Sequence, residues 1–187
     1  MITNYIMEHT KFFRNFMSNW KQTGSIAPSS KFLAEKMLKD IDFENARIII
    51  EMGTGTGSIT KHILNRMHSK CVLITFETNK DFYDFAKNSL KDNRLMIVND
   101  SVLNLKKHLQ GIKVDYIVSG IPLAHLNSFD KNYLLKEVKN SLNDSGSFIQ
   151  FQYSVESYKK LKTLFPSVKI NFSLLGIPPA FIYTCKN

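Results

Sequence analysis

Residues Ile48-Ile49-Ile50-Glu51-Met52-Gly53-Thr54-Gly55-Thr56-Gly57-Ser58 constrain this chain more than any other stretch. A β-branched apolar run that ends in a carboxylate reads as a buried strand, and the pattern opening at Ser58 reads as a helix. The glycines between them, on alternate positions, give a tight turn. Without Cβ atoms the backbone bends sharply there and can touch a ligand. The first N–H groups of the following helix can bond that ligand's polar atoms. In the dinucleotide fingerprint the third glycine falls three residues after the second and seats a pyrophosphate. Here Ser58 holds that position and Gly57 comes one residue earlier. The spacing alone leaves a nucleotide such as NAD, another nucleoside ligand and a purely structural turn open.

Around this loop the chain alternates. Strands are expected at 47–51, 71–77, 94–98, 113–119 and 147–153, and helices at 58–67, 80–90, 101–109, 130–142 and 155–164. Strand–helix–strand repetition makes a parallel sheet with helices on both faces. The tail differs. Apolar runs at 168–175 and 180–185 are separated by Gly176-Ile177-Pro178-Pro179 alone. That connection is too short for a parallel crossover, so the two runs pair antiparallel. Before the first strand, residues 2–20 read as an amphipathic helix: Ile2, Tyr5, Ile6, Phe12, Phe13, Phe16, Met17 and Trp20 share one face, and Lys11, Arg14 and Asn15 the other. Gly24 and Pro28 then interrupt the chain, and a second helix is expected at 29–39. The expected organisation is one domain, with a helical extension over 1–45 and a doubly wound α/β core over 46–187.

With 187 residues, 43% hydrophobic and 22% charged, the chain suffices for one ordinary core and is not composed like a disordered one. A net charge of +9 favours an anionic partner, nucleic acid or an anionic membrane surface, without choosing between them. Cys71 and Cys185 lie far apart and make no metal spacing, so they read as buried reduced thiols and no metal is expected. No apolar run approaches the roughly 20 residues of a membrane span, and no secretory signal is evident.

In open α/β sheets the ligand lies beyond the carboxyl ends of the strands. Three successive expected strands end in carboxylates beside the glycine loop: Glu51, Glu77 and Asp100, the last followed by Ser101. Each alone reads as an ordinary strand end, turn residue or helix cap. Together they read as a binding site in which Glu77 takes two ribose hydroxyls and Asp100 an adenine amino group. The fourth strand ends in Ser119-Gly120-Ile121-Pro122.

The E-x-G-x-G-x-G pattern resembles motif I of the class I S-adenosylmethionine (SAM) methyltransferases, whose sheet also ends in an antiparallel strand. Further segments occur in order: Phe12-Phe13-Arg14-Asn15-Phe16, Gln22-Thr23-Gly24-Ser25-Ile26-Ala27-Pro28-Ser29-Ser30, Ser119-Gly120-Ile121-Pro122, Phe151-Gln152-Tyr153 and Ile177-Pro178-Pro179-Ala180. Over nearly the whole chain they resemble the soluble bacterial phospholipid N-methyltransferases, which methylate phosphatidylethanolamine towards phosphatidylcholine. A looser likeness is to the rRNA adenine dimethyltransferases, which place a glutamine before the first strand as Gln22 is placed here. The resemblance implies SAM as cofactor, with S-adenosylhomocysteine as product. It implies a cofactor site of Gln22, Ser25, Glu51, Gly53, Gly55, Gly57, Glu77, Asp100, Ser101 and Ser119, with Ser29, Pro122 and Tyr153 on the acceptor. Two departures weaken the nucleic-acid reading. Base methyltransferases carry a polar-x-Pro-aromatic type motif after the fourth strand, and here Leu123 stands where the aromatic would stack on a flipped base. The rRNA adenine dimethyltransferases also append a helical RNA-binding domain after the sheet, which is not expected here.

Methyl transfer to an amine requires a neutral nitrogen, so a proton must leave. Tyr153 and His125 are the nearest candidate acceptors of it, alongside water, and each reads equally as an ordinary rim or loop residue. The substrate would lie in a bilayer. Phe12, Phe13, Phe16 and Trp20 are then the expected membrane contacts, on a helix lying in the headgroup plane at the inner face of the cell membrane. The same stripe would serve equally as core packing. The expected protein is a cytoplasmic, peripherally bound monomer. Adenine methylation of RNA or DNA and a catalytically silent SAM-binding module are the competing readings.

Overall fold

The computed structural model describes residues 28–173 and 180–187. The helix expected over 2–20, with Phe12, Phe13, Phe16 and Trp20, lies outside the described residues, as do Gln22 and Ser25. Ser29 is described only as backbone in the first helix, α1 (Pro28–Leu38).

The alternation expected from the sequence is present. After α1 come β1 (Ile48–Met52), α2 (Ser58–Leu64), β2 (Val72–Phe76), α3 (Lys80–Ser89), β3 (Leu95–Val98), α4 (Leu105–Leu109), β4 (Val114–Ser119), α5 (Ser128–Ser141), β5 (Leu142–Gln152), α6 (Tyr158–Leu164), β6 (Ser167–Ser173) and β7 (Ala180–Lys186). Seven strands form one sheet in the order β3-β2-β1-β4-β5-β7-β6. The first five run parallel to one another, and β7 runs antiparallel to both β5 and β6. This is the class I methyltransferase sheet. Strand order reverses between β1 and β4, so the crevice that such sheets offer a ligand opens at the carboxyl ends of those two strands.

Side chains alternate across the sheet, so each strand supplies both cores. Ile50, Met52, Ile117, Phe148 and Tyr183 pack with Leu134, Leu135 and Val138 of α5 and Leu161 of α6. Ile49, Leu73, Val118, Ile149 and Ile182 pack with Met37 and Leu38 of α1 and Ile63 and Leu64 of α2. Helix starts follow local chemistry. The Asn79 side chain accepts from the N–H groups of Asp81 and Phe82 and so starts α3. Asn127 accepts from Asp130 N–H at 2.9 Å while its own amide donates to the Asp130 carboxylate at 2.7 Å. That reciprocal cap starts α5 two residues before the expected 130.

Two expected elements differ most. The helix over 101–109 is a 3₁₀ turn, Val102–Asn104, followed by the short α4. The Ser101 hydroxyl accepts from Leu103 N–H, which tightens this first turn, and Gln110 and Gly111 end the segment with positive φ. Strand β5 starts at Leu142 rather than 147. Val114 pairs with Leu142 and Tyr116 with Ser147, so extra residues bulge out on β5. Asn143 anchors the bulge by donating to the Asp115 carboxylate at 2.6 Å, whose other oxygen takes the N–H groups of Arg47 and Ile48. Cys71 and Cys185 are buried and unbridged, as expected, and burial pushes their thiols up to about 11 and about 12.

Candidate active site

The glycine loop joins β1 to α2, and its three glycines have distinct jobs. All have positive φ: 87° at Gly53, 52° at Gly55 and 77° at Gly57. A Cβ at Gly53 would fall 2.9 Å from Ile121 Cγ2, and one at Gly57 2.8 Å from Leu90 Cδ1, so these two glycines let the loop pack on its neighbours. A Cβ at Gly55 would meet nothing within 4 Å. Gly55 is therefore the point where the backbone faces open space, as a loop that receives a ligand must. Gly53 and Thr54 donate to the Phe76 carbonyl, and Gly120 donates to Met52, which fixes the loop between the ends of β2 and β4.

Two carboxylates belong to this loop. Glu77, just past β2 and buried, accepts from Gly55 N–H on one oxygen and from Asn79 N–H on the other, each at 2.8 Å. An acidic group on the loop's own N–H repels a pyrophosphate and suits sugar hydroxyls, which donate to it. Asn99, at the end of β3, donates to the Glu77 carbonyl at 2.7 Å and holds that corner in place.

Glu51 is 1% exposed. The Thr60 hydroxyl of α2 donates to its Oε2 at 2.7 Å, while Oε1 has no partner among the described residues. Burial, with a further push from Glu77 and against the Thr60 bond, raises this carboxyl to about 8. A buried carboxyl oxygen without a partner beside a ligand loop fits a cationic donor, such as the α-ammonium of an amino acid. Open backbone at Gly55, an acceptor pair at Glu77 and an unpartnered oxygen at Glu51 together fit a nucleoside joined to an amino-acid zwitterion, which is the shape of SAM.

Asp100 also lies at a strand end, but its bonds are local. His108 Nε2 stands 2.7 Å from Oδ2, and Oδ1 accepts from Ser101 N–H and the Asn104 amide. These contacts, with His108 first, hold its carboxyl down to about 2. His108 in turn meets Phe76 edge-on at 5.3 Å. Ser119 is fully buried at the end of β4, with its hydroxyl unpartnered among the described residues. Pro122 is exposed and precedes a 3₁₀ turn that carries the exposed His125. Tyr153, half-buried, follows β5 and packs edge-on against Phe151 at 4.9 Å. Burial raises its phenol above the ordinary value.

The structure thus brings Glu51, the three glycines and Glu77 together directly, with Ser119 on the adjacent strand. It places Asp100, Ser101, Pro122, His125 and Tyr153 around them at the carboxyl edge. Thr60, Asn99 and Gln150 were not foreseen. Gln150 donates to the Ile121 carbonyl at 2.9 Å and so holds the loop segment that lies on Gly53. None of the three has a local sequence signal, because each acts through a partner many positions away. Among the described residues there is no cluster of three or more His, Cys, Asp or Glu able to hold a metal.

Comparison with known proteins agrees with this geometry. A family profile described as a methyltransferase domain matches residues 49–146. An ornithine lipid N-methyltransferase of Singulisphaera acidiphila is 32% identical over 94% of this chain and 94% of its own length. A ribosomal RNA small subunit methyltransferase A of Mycoplasmopsis synoviae is 26% identical over 72% of this chain, and that match spans 49% of its length. Among solved structures, a SAM-dependent methyltransferase of Archaeoglobus fulgidus superposes with a TM-score of 0.69 at 14% identity, covering 92% of this chain and 99% of that one. The glycine loop, its two carboxylates and the antiparallel seventh strand are therefore those of a SAM-dependent methyltransferase, and it is to the class I methyltransferase family that this chain belongs.

Proposed function

We propose that the chain transfers methyl groups from SAM to the primary amine of a membrane lipid, phosphatidylethanolamine or an amino-acid-containing lipid such as ornithine lipid. The observation that carries this reading is the end-to-end match to a lipid N-methyltransferase, at 94% of both lengths. The sequence motifs point to phosphatidylethanolamine, whereas that relative is named for ornithine lipid. Both are amphiphiles presenting an amine at a headgroup.

When bound, SAM supplies an already activated methyl on a sulfonium, so the protein's work is to position the reactants and exclude water. Glu77 would take the ribose hydroxyls, Glu51 the α-ammonium and the loop at Gly55 the backbone contacts. Asp100 and Ser101 would border the adenine. An ordinary phenol already holds its proton at neutral pH, and burial raises that of Tyr153 further. Tyr153 would therefore orient the acceptor rather than remove a proton, which leaves water or His125 at the rim for that step. No helix among the described residues is long and apolar enough to cross a membrane. Access to the lipid would thus come through peripheral contact, with the +9 net charge favouring an anionic surface.

The second reading, adenine methylation in rRNA, is favoured by the partial match to an rRNA methyltransferase. Against it, Leu123 is fully buried in the core and offers no face to a flipped base. Labelled SAM incubated with total lipids plus ribosomes, followed by phase separation, separates the two. Label in the chloroform phase, on either amine lipid, is the expected outcome. Label confined to rRNA would overturn the lipid reading.

A further inference from the structure

We infer that Gln152, backed by Gln150 and Ser119, holds the acceptor nitrogen; this rests on the amine-methylating reading above. Ser119 pairs with Gln150 across β4 and β5, so their side chains share one sheet face, and Gln152, two residues further along β5, shares it too. All three lie at carboxyl strand ends. They are 0%, 0% and 5% exposed. Among the described residues, Ser119 Oγ, Gln150 Oε1 and both amide atoms of Gln152 have no hydrogen-bond partner. Buried polar atoms are nearly always paired, so such a row points to a ligand that completes it.

The row is also in the right place. Gln150 donates to the Ile121 carbonyl, and Ile121 lies against Gly53 of the ligand loop. At the other end Gln152 adjoins Tyr153, the aromatic at the rim. The unpartnered atoms therefore stretch from the methyl-donor loop towards the rim.

Their chemistry suits an amine. Ser119 Oγ, Gln150 Oε1 and Gln152 Oε1 accept hydrogen bonds, and an amine brings N–H donors. Gln152 Nε2 can donate to an oxygen of the same headgroup. Because the acceptors are neutral, they orient the N–H bonds while favouring the ammonium form far less than a carboxylate would. The nitrogen lone pair stays available to form the N–C bond. The C–S bond breaks, its electron pair goes to sulfur, and the ammonium product then loses a proton to water.

The test compares wild type with Gln152→Leu and Gln152→Glu on vesicles containing phosphatidylethanolamine or ornithine lipid. For Gln152→Leu the expectation is unchanged SAM affinity by calorimetry and an unfolding temperature at or above wild type, since unpaired buried atoms are removed. The kcat/KM for the lipid should fall about tenfold or more, as for a lost buried hydrogen bond. For Gln152→Glu the ascending limb of the pH–rate profile, where the ammonium loses its proton, should move up by about one pH unit, because the carboxylate stabilises the ammonium. Wild-type kcat/KM and pH profile in both variants would overturn the inference and leave the lipid reading standing. Loss of SAM affinity or of folding in Gln152→Leu, with no change of profile in Gln152→Glu, would make the residue structural and also overturn it. A wild type that methylates neither lipid overturns both readings.

Discussion

Glu51→Gln separates the electrostatic role of the buried carboxyl from its shape. The Glu51 carboxyl is raised from an ordinary 4.5 to about 8, chiefly by burial. A group with a raised folded-state pKa binds its proton more tightly when folded. Its contribution to stability is therefore complete below about pH 4.5 and is lost as pH climbs through 8. At 1.36 kcal/mol per unit, the full loss is on the order of 3–5 kcal/mol, with about half or more gone by pH 7. Glutamine keeps the shape and cannot ionise, so its stability should not fall over this window for that reason. Urea midpoints measured from pH 5 to 8 should decline for wild type relative to the variant. SAM binding adds a second measure. An ammonium at Oε1 favours the ionised carboxylate, so binding at pH 7 must expel close to one proton in wild type. Calorimetry in buffers of different ionisation enthalpy counts that proton. The Glu51→Gln variant should release almost none and bind SAM at least about tenfold more weakly. Parallel stability curves together with equal proton release would refute the assignment of Glu51 to the ammonium.

Three further substitutions divide the loop by function. Gly55→Val should abolish SAM binding by calorimetry while costing the fold only about 1–2 kcal/mol of left-handed strain, because the new side chain points into open space. Unchanged affinity would rule out that face of the loop. Gly53→Ala should instead cost about 2–5 kcal/mol in urea unfolding, since its Cβ meets Ile121 at 2.9 Å in addition to the left-handed strain at φ 87°; a cost no larger than the strain alone would mean the Ile121 segment moves freely. Glu77→Leu removes the acceptor of two backbone N–H groups as well as the sugar contact, and should lower both stability and SAM affinity, the latter about tenfold or more. Loss of stability alone would confine Glu77 to a structural role.

The parts of this molecule legible in the sequence are those whose physics is local. The Ile48–Ile50 run, the alternate glycines and the short tail connection each fix a strand, a turn or a pairing sense within about a dozen residues. The β5 start was not legible because Leu142-Asn143-Asp144-Ser145-Gly146 has turn composition, and only its pairing with Val114 and its tie to Asp115 make it strand. Helix α6 begins at Tyr158 rather than 155, a matter of one turn. In the site, Glu51 and Glu77 could be found because strand ends are visible in the pattern. The Thr60 partner of Glu51 and the engagement of Asp100 by His108 could not, because they depend on how separate elements meet. The buried amide row of Gln150 and Gln152 was hidden for the same reason. Along β5 these residues look like polar interruptions of an apolar strand, and only the register with Ser119 turns them into a group.

The nature of the acceptor turns on the fourth strand. A nucleobase is a flat, neutral π-system, and an enzyme that methylates one needs a stacking face next to its polar clamp. Here the residue in that place, Leu123, is spent on the core with Met52, Phe76 and Leu134. The unpartnered atoms of Ser119, Gln150 and Gln152 stand on β4 and β5 instead. A lipid headgroup amine makes the opposite demand: it has no ring to stack and is mostly charged in water, so it must be desolvated and held by neutral acceptors while it loses a proton. A buried row of serine and glutamine oxygens meets that demand, and the same atoms could also accept from an adenine amino group. The fold and the polar row permit either acceptor, and it is the missing stacking face at Leu123 that favours an aliphatic amine.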